Sequence, residues 1–258
     1  MAYGTNAPFG LRPFSSISGG SWTEKTNEYF IYASADGTAT YPIAVFTGDP
    51  VIYSATAATT ITTAPTIIRY PIDTATVVNE ITPVVGVFMG CEYILPNGTL
   101  VKSPYWPGGA PAATSGPAVL GGSRIKAFIL DDPDVVYDIQ VSTATNVLND
   151  ARFGTAPATD AYFSQNFAFG LAAGGANILN PTAGSTITGQ SAIYLNLVGT
   201  TATDRVAATL PLKTIGFTPN PQNVIFAADG TTVNPFLNVR VTINNHISRV
   251  GNLGITPA

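Results

Sequence analysis

Leu237-Asn238-Val239-Arg240-Val241-Thr242-Ile243-Asn244 alternates apolar and polar residues without a break. Successive side chains of a strand point to opposite faces, so Leu237, Val239, Val241 and Ile243 share one face, which turns inward. A helix would need its apolar residues three and four apart, and this stretch does not provide them. Asp229-Gly230 precedes it as a turn.

The same reading extends outward through the chain. Val135, Tyr137, Ile139 and Val141 lie on one face of a strand, with Val136, Asp138 and Gln140 on the other. Ile125 to Leu130 is a second strand, separated from the first by Asp131-Asp132-Pro133-Asp134. Pro96-Asn97-Gly98 between Val84–Leu95 and Thr99–Val101 is the strongest hairpin signal in the chain. Asn97-Gly98-Thr99 also matches a glycosylation sequon, for which the turn is the simpler explanation. Tyr29–Tyr32 and Tyr41–Phe46 flank Asp36-Gly37 as a loose hairpin, and Val51–Tyr53, Ala192–Val198 and, interrupted by Pro211, Ala208–Phe217 are further strands. Residues 55 to 65 form a surface loop or an edge strand. Residues 160 to 173 fit either one helix or two short strands. Many short strands, abundant turn residues and at most one helix predict an all-β fold, a β-sandwich or jelly-roll-like domain. No internal repeat of the propeller or solenoid kind is visible.

Two segments depart from this pattern. Residues 1 to 22 read as an extended N-terminal arm, because Pro8 and Pro13 forbid regular helix and Gly4, Gly10, Gly19 and Gly20 weaken local preference. The arm nevertheless carries Tyr3, Phe9, Leu11, Phe14 and Ile17. Such side chains either pack on their own domain or tie the subunit to a neighbour, and the second reading is preferred. Residues 23 to 258 form the β-rich domain. The Pro/Gly/Ala-dense stretch 104–122 is a long loop that could join two halves.

Composition narrows the function. Of 258 residues, 45% are hydrophobic but only 10% are charged, against a usual value of roughly 25%. Thr, Ser, Asn and Gly must cover most of the exterior, and uncovered apolar surface marks interaction sites. The net charge is −4 and there is no Lys/Arg run, so nucleic acid is not an expected partner. The start lacks the basic and apolar regions of a signal peptide, and the longest apolar stretch, Ile81 to Leu95, is too interrupted and short to span a bilayer. Synthesis in a cytoplasm, with no membrane partner, is the expectation.

Catalytic groups are sparse. His246 is the only histidine and follows a strand, which suggests a surface or turn residue; no serine sits in a Gly-x-Ser-x-Gly setting. There is no Cys/His cluster, Walker loop or dinucleotide fingerprint. Cys91, the single cysteine, lies in an apolar run and reads as a small buried hydrophobe. Asp131, Asp132 and Asp134 could hold Ca²⁺, but an Asp-rich segment with proline is also a routine turn starter. The expectation is no enzyme, no catalytic residue, no metal and no cofactor.

Ala7-Pro8-Phe9-Gly10-Leu11-Arg12-Pro13 resembles the NAPFGLRP start common among tailed-bacteriophage capsid cement or decoration proteins. Gly48-Asp49-Pro50-Val51, Val84–Phe88, Asp131–Val135 with Asp138-Ile139-Gln140, and Arg240–His246 follow in the same order. The resemblance implies a mainly β structural protein on the outer capsid surface of a virion. It would lie across contacts of the major capsid protein and associate with other copies of itself as dimers or trimers. Candidate interface residues are Tyr3, Pro8, Phe9, Leu11, Arg12, Pro13 and Phe14 of the arm, with Tyr105 and Trp106 of the long loop. An alternative is a virion-surface carbohydrate- or receptor-binding module, in which Trp106, Tyr105 or Trp22 would stack on sugars.

Overall fold

A computed structural model describes residues 7–22, 25–54, 65–72, 82–109, 115–141, 164–171, 184–196, 207–220, 223 and 237–249. Among them the regular elements are all strands, so the all-β class holds. In chain order they are β1 (Arg12–Ser16), β2 (Asn27–Ile31), β3 (Val45–Phe46), β4 (Pro50–Tyr53), β5 (Thr66–Arg69), β6 (Gly86–Ile94) and β7 (Leu100–Ser103). There follow β8 (Tyr105–Trp106), β9 (Ile125–Leu130), β10 (Val135–Gln140), β11 (Asn166–Leu171), β12 (Ile193–Asn196), β13 (Leu212–Phe217) and β14 (Asn238–Ile243).

The expectation of a β-sandwich or jelly-roll-like domain holds at the level of the all-β class, and the first-half sheet closes on itself. Its order β4-β5-β2-β9-β6 is completed by a β4–β6 pairing, giving a five-strand ring with β7 attached to β6. An odd ring cannot alternate strand direction all the way round, so one step must be parallel. That step is β2–β5. The second half runs β10-β14-β13-β11-β12, all antiparallel, and β12 comes back to the end of β10 through a parallel bridge between Val141 and Leu195.

The two halves are the same construction. In each, the first strand pairs parallel with the third and antiparallel with the fifth, and the fourth pairs with the second and the fifth. The register agrees as well. Pro50↔Val87 and Val51↔Gly86 in the first half correspond to Asn166↔Lys213 and Phe167↔Leu212 in the second. Glu28↔Phe128 corresponds to Asp138↔Arg240, and Tyr53↔Ile67 to Phe169↔Leu195. Each fourth strand carries a bulge at the same step, ending on Gly90 in one half and Gly216 in the other. A bulge leaves one residue unpaired and tightens the twist, as closing a small ring requires.

Strand alternation sorts the side chains into two cores. Tyr29, Ile31, Val51, Phe88, Ala127 and Ile129 belong to a cluster filling the first ring. Their neighbours Ile52, Val87 and Leu130 face outward and join Tyr137, Ile139, Phe169, Leu195, Val239 and Val241 of the second half. Each fully buried aliphatic side chain of this kind contributes about 1.5–3 kcal/mol. The second-half counterparts of those three flank residues are Ala168, Lys213 and Thr242, which follow from the matched register. The first half therefore lays an apolar flank on the second, and the second has no matching apolar row.

Several sequence expectations need correction. The loop 104–122 does not join the halves; it connects β7 to β9 inside the first half, and β8 within it pairs with β3. The junction is Asp131–Asp134, between β9 and β10. Residues 12 to 16 of the arm are β1, paired antiparallel with β10 of the same chain, because Leu11 beside them has an apolar core to enter. Of Tyr41–Phe46 only Val45–Phe46 is strand, since Pro42 cannot donate to a ladder. The Asp36-Gly37 turn is present, with Gly37 at φ +71° and Ala33 bridged to Thr40. The ambiguous 160–173 resolves to strand β11 over its described part, while 160–163 and 172–173 lie outside the described residues. Residues 55–64 likewise lie outside them.

Candidate interaction surface

The arm enters between the two halves. The Gly10 N–H donates to the Ile193 carbonyl at 3.1 Å and the Leu11 N–H to the Gly48 carbonyl at 2.9 Å. A Cβ at residue 10, where φ is +74°, would lie 2.6 Å from Ser191 Cβ and 2.7 Å from the Gly48 carbonyl oxygen, so only glycine fits. Leu11 is 1% exposed and anchors the crossing in the core.

Beyond this anchor, β1 carries polar and aromatic side chains onto the outer face of the second-half sheet. Across β1, β10 and β14 one row reads Arg12, Asp138, Arg240. Arg12 Nη2 lies 3.3 Å from Asp138 Oδ2, and the Thr218 hydroxyl donates to Asp138 Oδ1 at 2.9 Å. Asp138 is buried while the Arg12 side chain is 58% exposed. Arg12 sits 4.6 Å above the Phe9 ring and Arg240 6.0 Å from the centre of the Phe14 ring. Phe14 and Ile17 are exposed at 42% and 52%. The result is an edge on which two arginines meet Phe9 and Phe14 over a buried acid, and arginine and aromatic side chains are enriched in protein–protein contacts.

The predicted interface residues therefore divide. Arg12 and Phe14 are exposed, Pro8, Phe9 and Pro13 are half-buried, and Tyr3 lies outside the described residues. Leu11 and Trp106 are corrected to core residues. Trp106 is 0% exposed, its Nε1–H donates to the Tyr41 carbonyl at 2.9 Å, and Tyr93 meets it edge-on at 5.2 Å. Tyr105 is half-buried and stacked on Phe46 with ring centres 5.4 Å apart. Trp22 is half-buried, against the second core. The sugar-stacking alternative thus loses its principal ring, because β8 turns Trp106 inward.

The groups singled out for chemistry are each engaged locally. Asp131 accepts from Asn27 Nδ2 at 2.9 Å and the Tyr29 hydroxyl at 2.7 Å, Asp132 accepts the Asp134 N–H at 2.9 Å, and Asp134 pairs with Arg249 at 3.1 Å. Among the described residues no group of three or more acidic, His or Cys side chains converges on a cation-sized site. Of the two readings of His246, the turn holds and the surface does not: it is 3% exposed, in a turn that bridges to Val84 of the first half. Its Nδ1 faces the Ser248 N–H at 3.1 Å and hydroxyl at 2.7 Å. Burial pushes the Cys91 thiol up to about 12.

Sequence reading missed one charged pair. Asp49 and Arg69 are buried side by side, with Arg69 Nε 3.2 Å from Asp49 Oδ2 but not aimed as a linear hydrogen bond. Asp49 also accepts the Phe46 N–H at 2.8 Å and the Ser191 hydroxyl at 2.5 Å. Burial raises its carboxyl, while Arg69 and these donors pull the other way. The available signal was one acid and one base each set inside an otherwise largely apolar segment, in AVFTGDPVIY and TIIRYPI.

No family model, curated protein or solved structure matches the chain.

Proposed function

We propose that the chain is a non-catalytic structural protein of a virus particle, a cement subunit on the outer capsid surface that binds across contacts of the major capsid protein. The observation that carries this reading is the β1 edge, where Phe14 stands exposed against Arg240, Arg12 pairs with the buried Asp138, and Ile17 is exposed past the end of the strand. The likeness of the opening segment to capsid cement proteins, Ala7–Pro13, leads into this strand, and the low charged fraction favours a molecule that covers surface in an assembly. Each copy would bury on the order of 1,000 Å² against neighbours, and repetition by symmetry would multiply modest affinities.

Sedimentation of the purified protein with shells that lack it, together with sizing of the free protein, tests this. Deleting the arm is the wrong perturbation, because it removes a strand and Leu11 from the core. Phe14→Asp with Ile17→Asp alters the exposed edge alone. Co-sedimentation lost in that variant, with an unchanged thermal transition, is the expected outcome. A parent protein that ignores shells sinks the proposal.

A further inference from the structure

We infer that the edge of β2 at Asn27–Glu28 takes up an extended segment of a partner polypeptide, running antiparallel, with a basic side chain opposite Glu28. The internal repeat supplies the argument. Asn27 and Glu28 correspond by register to Tyr137 and Asp138 of β10. In the second half that edge is covered by β1, with Arg12 opposite Asp138 and Pro13 opposite Tyr137. The first half has no such covering strand among its described residues. Tyr137 and Asp138 are buried, whereas their counterparts Asn27 and Glu28 are exposed.

The backbone is oriented to accept a strand. The Phe30 N–H donates to the Pro65 carbonyl at 3.1 Å, so that residue turns its polar groups away from β9. In an antiparallel pair, alternate residues do the same, which directs the N–H and C=O of Glu28 to the side away from β9. β5 pairs with β2 at Phe30 and Ile31, and the described pairing stops there. An exposed edge of this kind is a template for strand addition. The Glu28 carboxylate has Lys126 at 3.5 Å, a pair in which both side chains are largely exposed and contribute little.

Charge selects the occupant. The second half places an arginine across from the equivalent acid, so a short, extended segment bearing Arg or Lys fits the first half. A second copy's own β1 does not serve, since releasing it would pull Leu11 out of that copy's core. The inference does not rest on the capsid reading, whose test involves a different edge.

The probe is a fluorescent peptide with the sequence of residues 7–20 of this chain, titrated into the full-length protein and followed by anisotropy. Saturable binding is expected. Glu28→Lys should weaken it about tenfold or more, and a peptide carrying Arg12→Glu should recover affinity for that variant. Glu28 is exposed, so an unchanged thermal transition checks that the variant is folded. No saturable binding to the parent, or binding indifferent to Glu28→Lys, overturns the inference.

Discussion

Ser164 holds in the second half the backbone place that Gly48 holds in the first. Both have positive φ, +62° and +94°, and Ser164 is the one non-glycine residue with positive φ among the described residues. The Gly48 N–H donates to the Phe88 carbonyl at 2.9 Å and the Ser164 N–H to the Thr214 carbonyl at 2.8 Å. In return, the Phe88 N–H donates to the Asp49 carbonyl and the Thr214 N–H to the Gln165 carbonyl. These turns deliver the chain into β4 and β11, so their conformation belongs to the repeat and not to local sequence.

The two positions should respond differently to substitution. A Cβ at Gly48 would lie 2.9 Å from the Phe9 carbonyl oxygen, in addition to the strain of its φ. Gly48→Ser is expected to cost about 2 kcal/mol or more, since strain and a close approach add. Ser164→Gly exchanges backbone strain for lost chain stiffness and should move stability by less than about 1 kcal/mol. Denaturant midpoints of the two variants check this.

Removing one partner of the Asp49–Arg69 pair leaves the other buried and uncompensated. Arg69→Met is expected to destabilise by about 3–5 kcal/mol. The double variant with Asp49→Asn should recover part of that loss. Additive losses in a double-mutant cycle would show that the two side chains do not act as a pair.

His246 sets a pH dependence whose sign follows from burial. Burial, together with Arg249, lowers its folded-state value, while the Val85 backbone, Asp131 and Asp132 pull the other way. The unfolded chain then takes up the proton first, near the ordinary value of about 6.5. The contribution is full above that pH and is lost as pH falls through it. The parent should therefore lose more stability between about pH 7 and 5 than His246→Asn, whose amide oxygen can still accept the Ser248 N–H. Parallel pH profiles would remove the histidine from the account.

Trp106→Ala should cost about 3–5 kcal/mol through the cavity it leaves and the unmet Tyr41 carbonyl. Trp106→Phe keeps most of the volume and should cost less. A glycan array read with the folded Trp106→Phe protein is expected to match the parent. A glycan signal lost in that folded variant would restore the sugar-binding alternative.

Strand positions were legible because alternation is a local property. The Val239–Ile243 face and the Asn97-Gly98 hairpin follow from a period of two and from turn chemistry, whereas of the expected strand Ala208–Phe217 only Leu212–Phe217 is strand. Pairing partners are not local, and neither is ring closure. The β4–β6 contact and the Val141–Leu195 bridge join segments that no short window relates. The repeat was invisible for the same reason. A register needs apolar side chains inward and a glycine or small residue at the bulge, and many sequences satisfy that, so Val51 can answer to Phe167 and Glu28 to Asp138 without visible likeness. The arm shows the division most plainly. Its prolines and glycines already dictated an extended chain, but only the packing of Leu11 into the core and of Arg12 onto Asp138 decided that it docks on its own second half. An extended segment can satisfy its backbone on any open strand edge, and the apolar pocket and buried acid of the folded molecule select which one.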